Sequence, residues 1–141
     1  MVNLDELKDP ISRFIDESVQ NFSLKYGVAN SIGIYVCPWS GWISCNFNLN
    51  KSIKDCGNNC PDFEFVEFEL FDLPELASEF ESESPSYMVN RSIVNLNHNL
   101  GNEGLNKIIF HFLLPVIAEL KDHHPQPLLL QLLDSKYYHI A

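Results

Sequence analysis

Ser31-Ile32-Gly33-Ile34-Tyr35-Val36-Cys37-Pro38-Trp39-Ser40-Gly41-Trp42-Ile43-Ser44-Cys45-Asn46-Phe47-Asn48-Leu49 is the stretch that decides the fold. Ile32, Ile34 and Val36 alternate with Tyr35, and Ile43, Cys45, Phe47 and Leu49 alternate with Ser44, Asn46 and Asn48. A period of two belongs to strands, whose successive side chains point to opposite faces. Pro38-Trp39-Ser40-Gly41 supplies turn residues between the two runs. The stretch therefore reads as an antiparallel hairpin with one apolar face and one face of amides and a hydroxyl. Aligning the apolar faces pairs Ile34 with Cys45 and Cys37 with Trp42. In that register Cys37 and Cys45 point to opposite faces, so they neither bond to one another nor share a metal.

Outward from the hairpin, Phe63-Glu64-Phe65-Val66-Glu67-Phe68-Glu69-Leu70 reads as a third strand. Its alternation slips at Phe65-Val66. A bulge there returns every apolar side chain to the core and leaves Glu64, Glu67 and Glu69 together on the solvent face. Asp72-Leu73-Pro74-Glu75 predicts a capped helix start, with Leu76 and Phe80 inward and Glu75 and Glu79 outward. On the other side of the hairpin, Leu7, Ile11, Phe14, Ile15, Val19 and Phe22 recur at helical spacing, so residues 4–26 read as helix. Asp9 before Pro10 marks its start and Gly27 its end, with residues 4–8 able to form a turn of their own. Residues 102–122 give a second long helix that Pro115 should kink or divide. Residues 84–102 fit neither period well. Residues 128–133 read as an apolar turn docked on the core, and 136–140 as a last strand or a tail. The predicted architecture is α+β: an N-terminal helix, an antiparallel sheet of three or more strands, and C-terminal helices packed on its apolar face, in a single domain spanning residues 1–141.

The bulk composition bounds the partners. A chain of 141 residues, 45% hydrophobic and with ten phenylalanines, has the means to build one packed core. Its formal net charge of −10 opposes contact with a phosphate backbone, so no nucleic-acid partner is expected. No membrane partner is expected either, because the longest apolar run, residues 108–118, contains His111 and Pro115 and is too short to span a bilayer. Met1-Val2-Asn3-Leu4-Asp5-Glu6 is acidic where a secretory signal is basic, which predicts a cytoplasmic location. Reduced thiols are the default there. Cys56-Gly57-Asn58-Asn59-Cys60 has the spacing of half a zinc site, but Cys37 and Cys45 face apart and do not complete it. No metal or cofactor is expected.

Between Asp55 and Asn90 the chain carries ten carboxylates and neither lysine nor arginine. A field of one sign attracts basic partners, and like charges along one strand cost stability that a merely soluble surface need not incur. Glu64, Glu67 and Glu69 on the third strand, with Glu75 and Glu79 one helical turn apart beyond it, are the candidate partner-binding residues; the competing reading is a solvated face. Trp39 at the hairpin tip is a candidate anchor, against the alternative that Trp42 covers the polar face of the hairpin and Trp39 folds back onto it. His111 and His123 are the candidates for an enzyme or a ligand-binding pocket. His111 lies near the apolar side of its helix, where a hydrogen-bonded core role competes, and no nucleophile motif accompanies either histidine.

The segment Cys37-Pro38-Trp39-Ser40-Gly41-Trp42, the strand Phe63-to-Leu70 and Asp72-Leu73-Pro74-Glu75 resemble small bacterial domains without an assigned activity. In its acidic, single-domain, motif-free format the chain is also similar to the immunity proteins of bacterial toxin systems, including contact-dependent inhibition. That resemblance, over residues 4–83, implies a non-enzymatic protein that binds and neutralises a cognate basic toxin, often a nuclease, by covering its active site. It further implies that the acidic face mimics phosphate charge and steers association.

Overall fold

The structure is a computed structural model that describes residues 1–141. Its elements run β1 (Val2–Asn3), a 3-10 turn (Leu4–Leu7), α1 (Lys8–Tyr26), β2 (Ser31–Cys37), β3 (Trp42–Asn48), two further 3-10 turns (Lys54–Cys56, Cys60–Asp62), β4 (Phe65–Asp72) and α2 (Pro74–Phe80). Then follow β5 (Ser86–Val89), β6 (Ser92–Asn95), a 3-10 turn (His98–Leu100), α3 (Gly101–His123), β7 (Leu128–Leu132) and β8 (Tyr138–Ile140). The fold is α+β, with a five-stranded sheet in the order β4-β3-β2-β7-β8 and a three-stranded sheet β1-β5-β6. The hairpin has the register that its apolar pattern demands, Ile34 opposite Cys45 and Cys37 opposite Trp42.

α1 lies over β3 and β4, and α3 over β7. Together they close one face of the large sheet, where Ile32, Ile34, Val36, Ile43, Cys45 and Phe47 meet Ile11, Ile15, Val19 and Phe22 of α1 and Leu113, Val116 and Ile117 of α3. Phe22 stacks on Phe47 with ring centroids 4.4 Å apart. α1 ends where Gly27 takes φ +99 and donates its N–H to the Ser23 carbonyl at 2.9 Å.

Several local expectations are corrected. β7 joins β2 in parallel, so the sheet is mixed, and residues 128–132 form a strand where a turn was expected. The cause is burial on both faces: Leu128, Leu130 and Leu132 face the main core while Leu129 faces a second cluster, and a strand covered on both sides shows no alternation. Residues 84–102 contain the β5–β6 hairpin, whose outer strand β6 is exposed along its whole length. One helix, not two, follows; Pro115 does not divide α3 and lies on its exposed side. At the start of α2 no side chain caps the helix, because Leu73 holds the capping position and Pro74 the first turn. Asp9 likewise lies inside α1, not before it.

The third strand departs most. Cys45 opposes Glu69 and Phe47 opposes Phe65, so Asn46 alone faces Val66, Glu67 and Phe68. The irregularity lies beyond the expected position and is wider than a single-residue bulge. Phe65 and Phe68 turn to the core, where both meet Phe22 edge-on. Val66 and Leu70 do not: they are 46% and 50% exposed, so the strand does not bury all its apolar side chains. Glu67, with φ +51, stands at the centre of the bulge.

Candidate functional site

The second face of the large sheet has two halves. One half is covered by residues 50–63, which lay Ile53, Cys56, Cys60 and Phe63 over the sheet against Leu129. Asn46 and Asn48, on the polar face of the hairpin as expected, are fully buried beneath this cover. Their side chains replace the ladder bonds that the bulge breaks. Asn46 Oδ1 accepts the Glu67 N–H at 2.8 Å, and Asn48 Oδ1 accepts the Glu64 N–H at 2.9 Å. Asn46 Nδ2 donates to the Gly33 carbonyl at 3.1 Å, and Asn48 Nδ2 to Ser31 Oγ at 3.0 Å. Buried polar groups need such partners, and here an uncharged network supplies them. Gly33 lets the cover approach, since a Cβ there would come within 2.8 Å of the Phe63 ring and 2.9 Å of Cys60 Sγ.

The other half, toward the β2–β3 turn, is only partly covered: Gln131 accepts the Cys60 N–H at 2.8 Å and Tyr35 packs against the edge of the covering cluster, but no segment lies over the rings beyond them. Strand register places Leu70, Ser44, Tyr35, Gln131 and Tyr138 in one row across all five strands. The neighbouring row sets Asp72 beside Trp42 beside Cys37. Tyr35 and Trp42 meet edge-to-face at 5.8 Å over the buried Ser44 and Cys37. Both rings remain half-buried, with Leu70 and Tyr138 exposed on either side. Asp72 and Asp134 add negative charge. Asp134 is close enough to help raise the Tyr35 pKa, an effect due first to burial of the phenol and next to that carboxylate. Glu67, whose N–H is held by Asn46, is exposed farther along β4. No residue in the two rows is basic.

The sequence-selected residues have diverse fates. Glu64 caps the turn after β3, its Oε1 accepting the N–H groups of Leu49, Asn50 and Lys51 at 3.1, 2.8 and 2.8 Å. Those backbone donors hold its carboxyl below the usual range. Glu69 is on the core side of β4, opposite Cys45, and accepts from Asn21 Nδ2 at 2.9 Å. It therefore does not share a solvent face with Glu64 and Glu67. Glu79 binds the Met1 ammonium at 2.8 Å and the Ser86 N–H at 3.0 Å, which lowers its pKa. Glu67 and Glu75 are exposed and unpaired. Lys51, Lys54 and Arg91 form no ion pair with any of these carboxylates. Trp39 packs against the main core with its indole N–H buried, and the tryptophan on the polar face of the hairpin is the half-buried Trp42. Trp42 covers part of the hairpin's polar face, as one reading of the sequence has it; Tyr35, Asp72 and Asp134 escaped that reading, because strand register and the turn after β7 bring them to it.

His111 is exposed on α3, contrary to the core role its spacing allowed, and makes edge-on contacts with Phe110 and Tyr137 at 5.7 and 6.4 Å. His123 stands 4.0 Å from Asp16, whose Oδ1 bonds His124 at 2.6 Å; this trio ties the end of α3 to α1. Burial raises the thiols of Cys37, Cys45 and Cys60, Cys45 to about 12, so none of these three is a thiolate at neutral pH. No group of three or more His, Cys, Asp or Glu side chains gathers in a metal-binding arrangement. No helix is long and apolar enough to cross a membrane. No protein-family model, curated protein or solved structure matches this chain.

Proposed function

We propose that this protein is a non-enzymatic, cytoplasmic binding module that captures a basic protein partner on the partly covered half of its sheet. The observation that carries the reading is the pair Tyr35–Trp42, left half-bare between the exposed Leu70 and Tyr138 and accompanied by the exposed carboxylates of Asp72 and Asp134. Tryptophan and tyrosine in partly desolvated positions dominate binding energies, and the surrounding carboxylates set association rate and selectivity. Glu75 extends the negative field where α2 meets the hairpin turn, the Leu73 N–H donating to the Gly41 carbonyl at 2.7 Å. The likeness in format to immunity proteins supports a cognate bacterial toxin, such as a nuclease, as that partner; the carboxylates would then occupy the place of substrate phosphates.

The test is coexpression with a basic toxin domain encoded beside this chain, followed by titration of the purified pair. Trp42→Ala should weaken binding by about 30-fold or more, as loss of a central anchor does. Asp72→Lys with Asp134→Lys should slow association and flatten its salt dependence. Undiminished affinity in both variants, with the fold intact by circular dichroism, removes the reading.

A further inference from the structure

A groove of different character lies between the β5–β6 hairpin and α3. Its volume is ≈ 330 Å³, and its apolar wall consists of Val89, Val94, Leu96, Leu100 and Ile108. Lys107 and His111, one helical turn apart, enter the same lining, and no carboxylate does. The surrounding sequence is poor in acid for a chain of net charge −10: residues 84–118 hold a single carboxylate, Glu103, against Arg91 and Lys107. Glu103 is engaged elsewhere, accepting from Asn106 Nδ2 at 2.6 Å.

An unpaired strand edge runs beside the groove. β6 is the last strand of its sheet, and all four of its residues are exposed, Ile93 at 60%. The Leu96 N–H donates to the Pro85 carbonyl at 2.9 Å, which fixes the parity of the ladder. Bonded pairs alternate in antiparallel strands, so Tyr87–Val94 and Val89–Ser92 are the bonded pairs. Ile93 and Asn95 consequently turn their N–H and C=O groups outward, where an incoming strand can take them up. Val89 and Val94 show that the groove underlies one face of this hairpin. Alternate side chains of an added strand would point to that same side.

We propose that β6 and this groove bind an extended segment of a partner protein by strand addition, with an apolar side chain seated among Val94, Leu100 and Ile108 and a carboxylate of the segment set against Lys107. Charge selects this occupant, because Lys107 stands in the groove's lining and no carboxylate of this chain does. A second copy of this chain pairing β6 with β6 would bring Ser92-Ile93-Val94-Asn95 and hence no anion for Lys107. The site is independent of the basic-partner face, which requires the opposite charge and other strands.

The experiment titrates the isotope-labelled full chain with a blocked octapeptide of alternating valine and threonine ending in glutamate. A second peptide ends in lysine, and a third is N-methylated along the edge that would donate to β6. The first peptide should shift the Ile93 and Asn95 amides and slow their exchange, and should bind about five- to tenfold tighter than the lysine peptide. Lys107→Ala should abolish that preference while leaving the amide shifts in place. The N-methylated peptide should not bind. Absence of shifts at millimolar peptide, equal binding of the N-methylated peptide, or a preference that survives Lys107→Ala overturns the proposal. A dimer that protects the same amides without peptide also overturns it, and assigns the edge to a second copy.

Discussion

The two faces of the five-stranded sheet are built on opposite principles. On one face, aliphatic and aromatic side chains of β2, β3, β7, α1 and α3 interlock, and removal of apolar area from water supplies the stability. On the other, Asn46, Asn48, Ser31 and Ser44 lie fully buried, and a loop with little secondary structure is fastened to them by directed hydrogen bonds. The first face tolerates inexact geometry because burial has no direction. The second depends on each donor meeting its acceptor, since an unmatched buried amide costs more than a matched one contributes. Toward the β2–β3 turn, past Asn46 and Ser44, the network ends and Tyr35 and Trp42 stay half-buried.

The sharpest way to test the contrast is to damage each face in turn and compare. Phe22→Ala, which empties the stack on Phe47, should cost about 3–5 kcal/mol of unfolding free energy and is read by urea denaturation. Asn48→Ala should cost about 2–3 kcal/mol, because it orphans the Glu64 N–H and leaves Ser31 Oγ without its donor. Asn48→Leu discriminates more finely: a stabilised variant would show the covered half to be an ordinary core, and the contrast would break. Gly33→Ala should cost about 1–3 kcal/mol by forcing Phe63 and Cys60 off the sheet. A thiol reagent should then label Cys60 faster than in the parent, while Cys45 on the opposite face stays protected.

Acid should loosen the covered half by a smaller margin. The Glu64 pKa is lowered in the fold by the Asn50 and Lys51 N–H groups, so its contribution is present above the ordinary carboxylate range and is lost as pH falls through the depressed folded value. Glu64→Gln should therefore lower stability near neutrality and make it less sensitive to acidification, seen as a flatter dependence of the urea midpoint on pH. Trp42→Ala should be the mildest of all for the fold, within about 1 kcal/mol, because its ring is only half-buried. Its loss should appear in partner binding and not in unfolding. A large destabilisation would make Trp42 a structural lid on Ser44 and Cys37, not an anchor.

Local periodicity made the first face legible. Ile32, Ile34, Val36 and their partners on β3 could be assigned to one side, and the hairpin register followed, because a one-residue slip would reverse every side chain. α1 was equally plain from the spacing of Ile11, Ile15, Val19 and Phe22. The same logic failed at β7, where covering on both faces erases alternation, and at β4, where Glu67 in a left-handed conformation changes the phase within the strand. It also stopped short of the burial of Asn46 and Asn48. Amides opposite an apolar face look solvated to any local reading, and only a loop arriving from residues 50–63 makes them interior.

What the chain alone determined is the α+β class, the hairpin and its register, the long helices and the strength of the negative charge, all properties of neighbouring residues or of composition. Where each charge lies was decided by tertiary structure. Glu64 became a cap, Glu69 went beneath α1, Glu79 met the N-terminus, and Asp72 came to stand beside Trp42. The physical reason is that a carboxylate goes where backbone donors, amides or an ammonium are brought to it, and those groups come from segments distant in the chain.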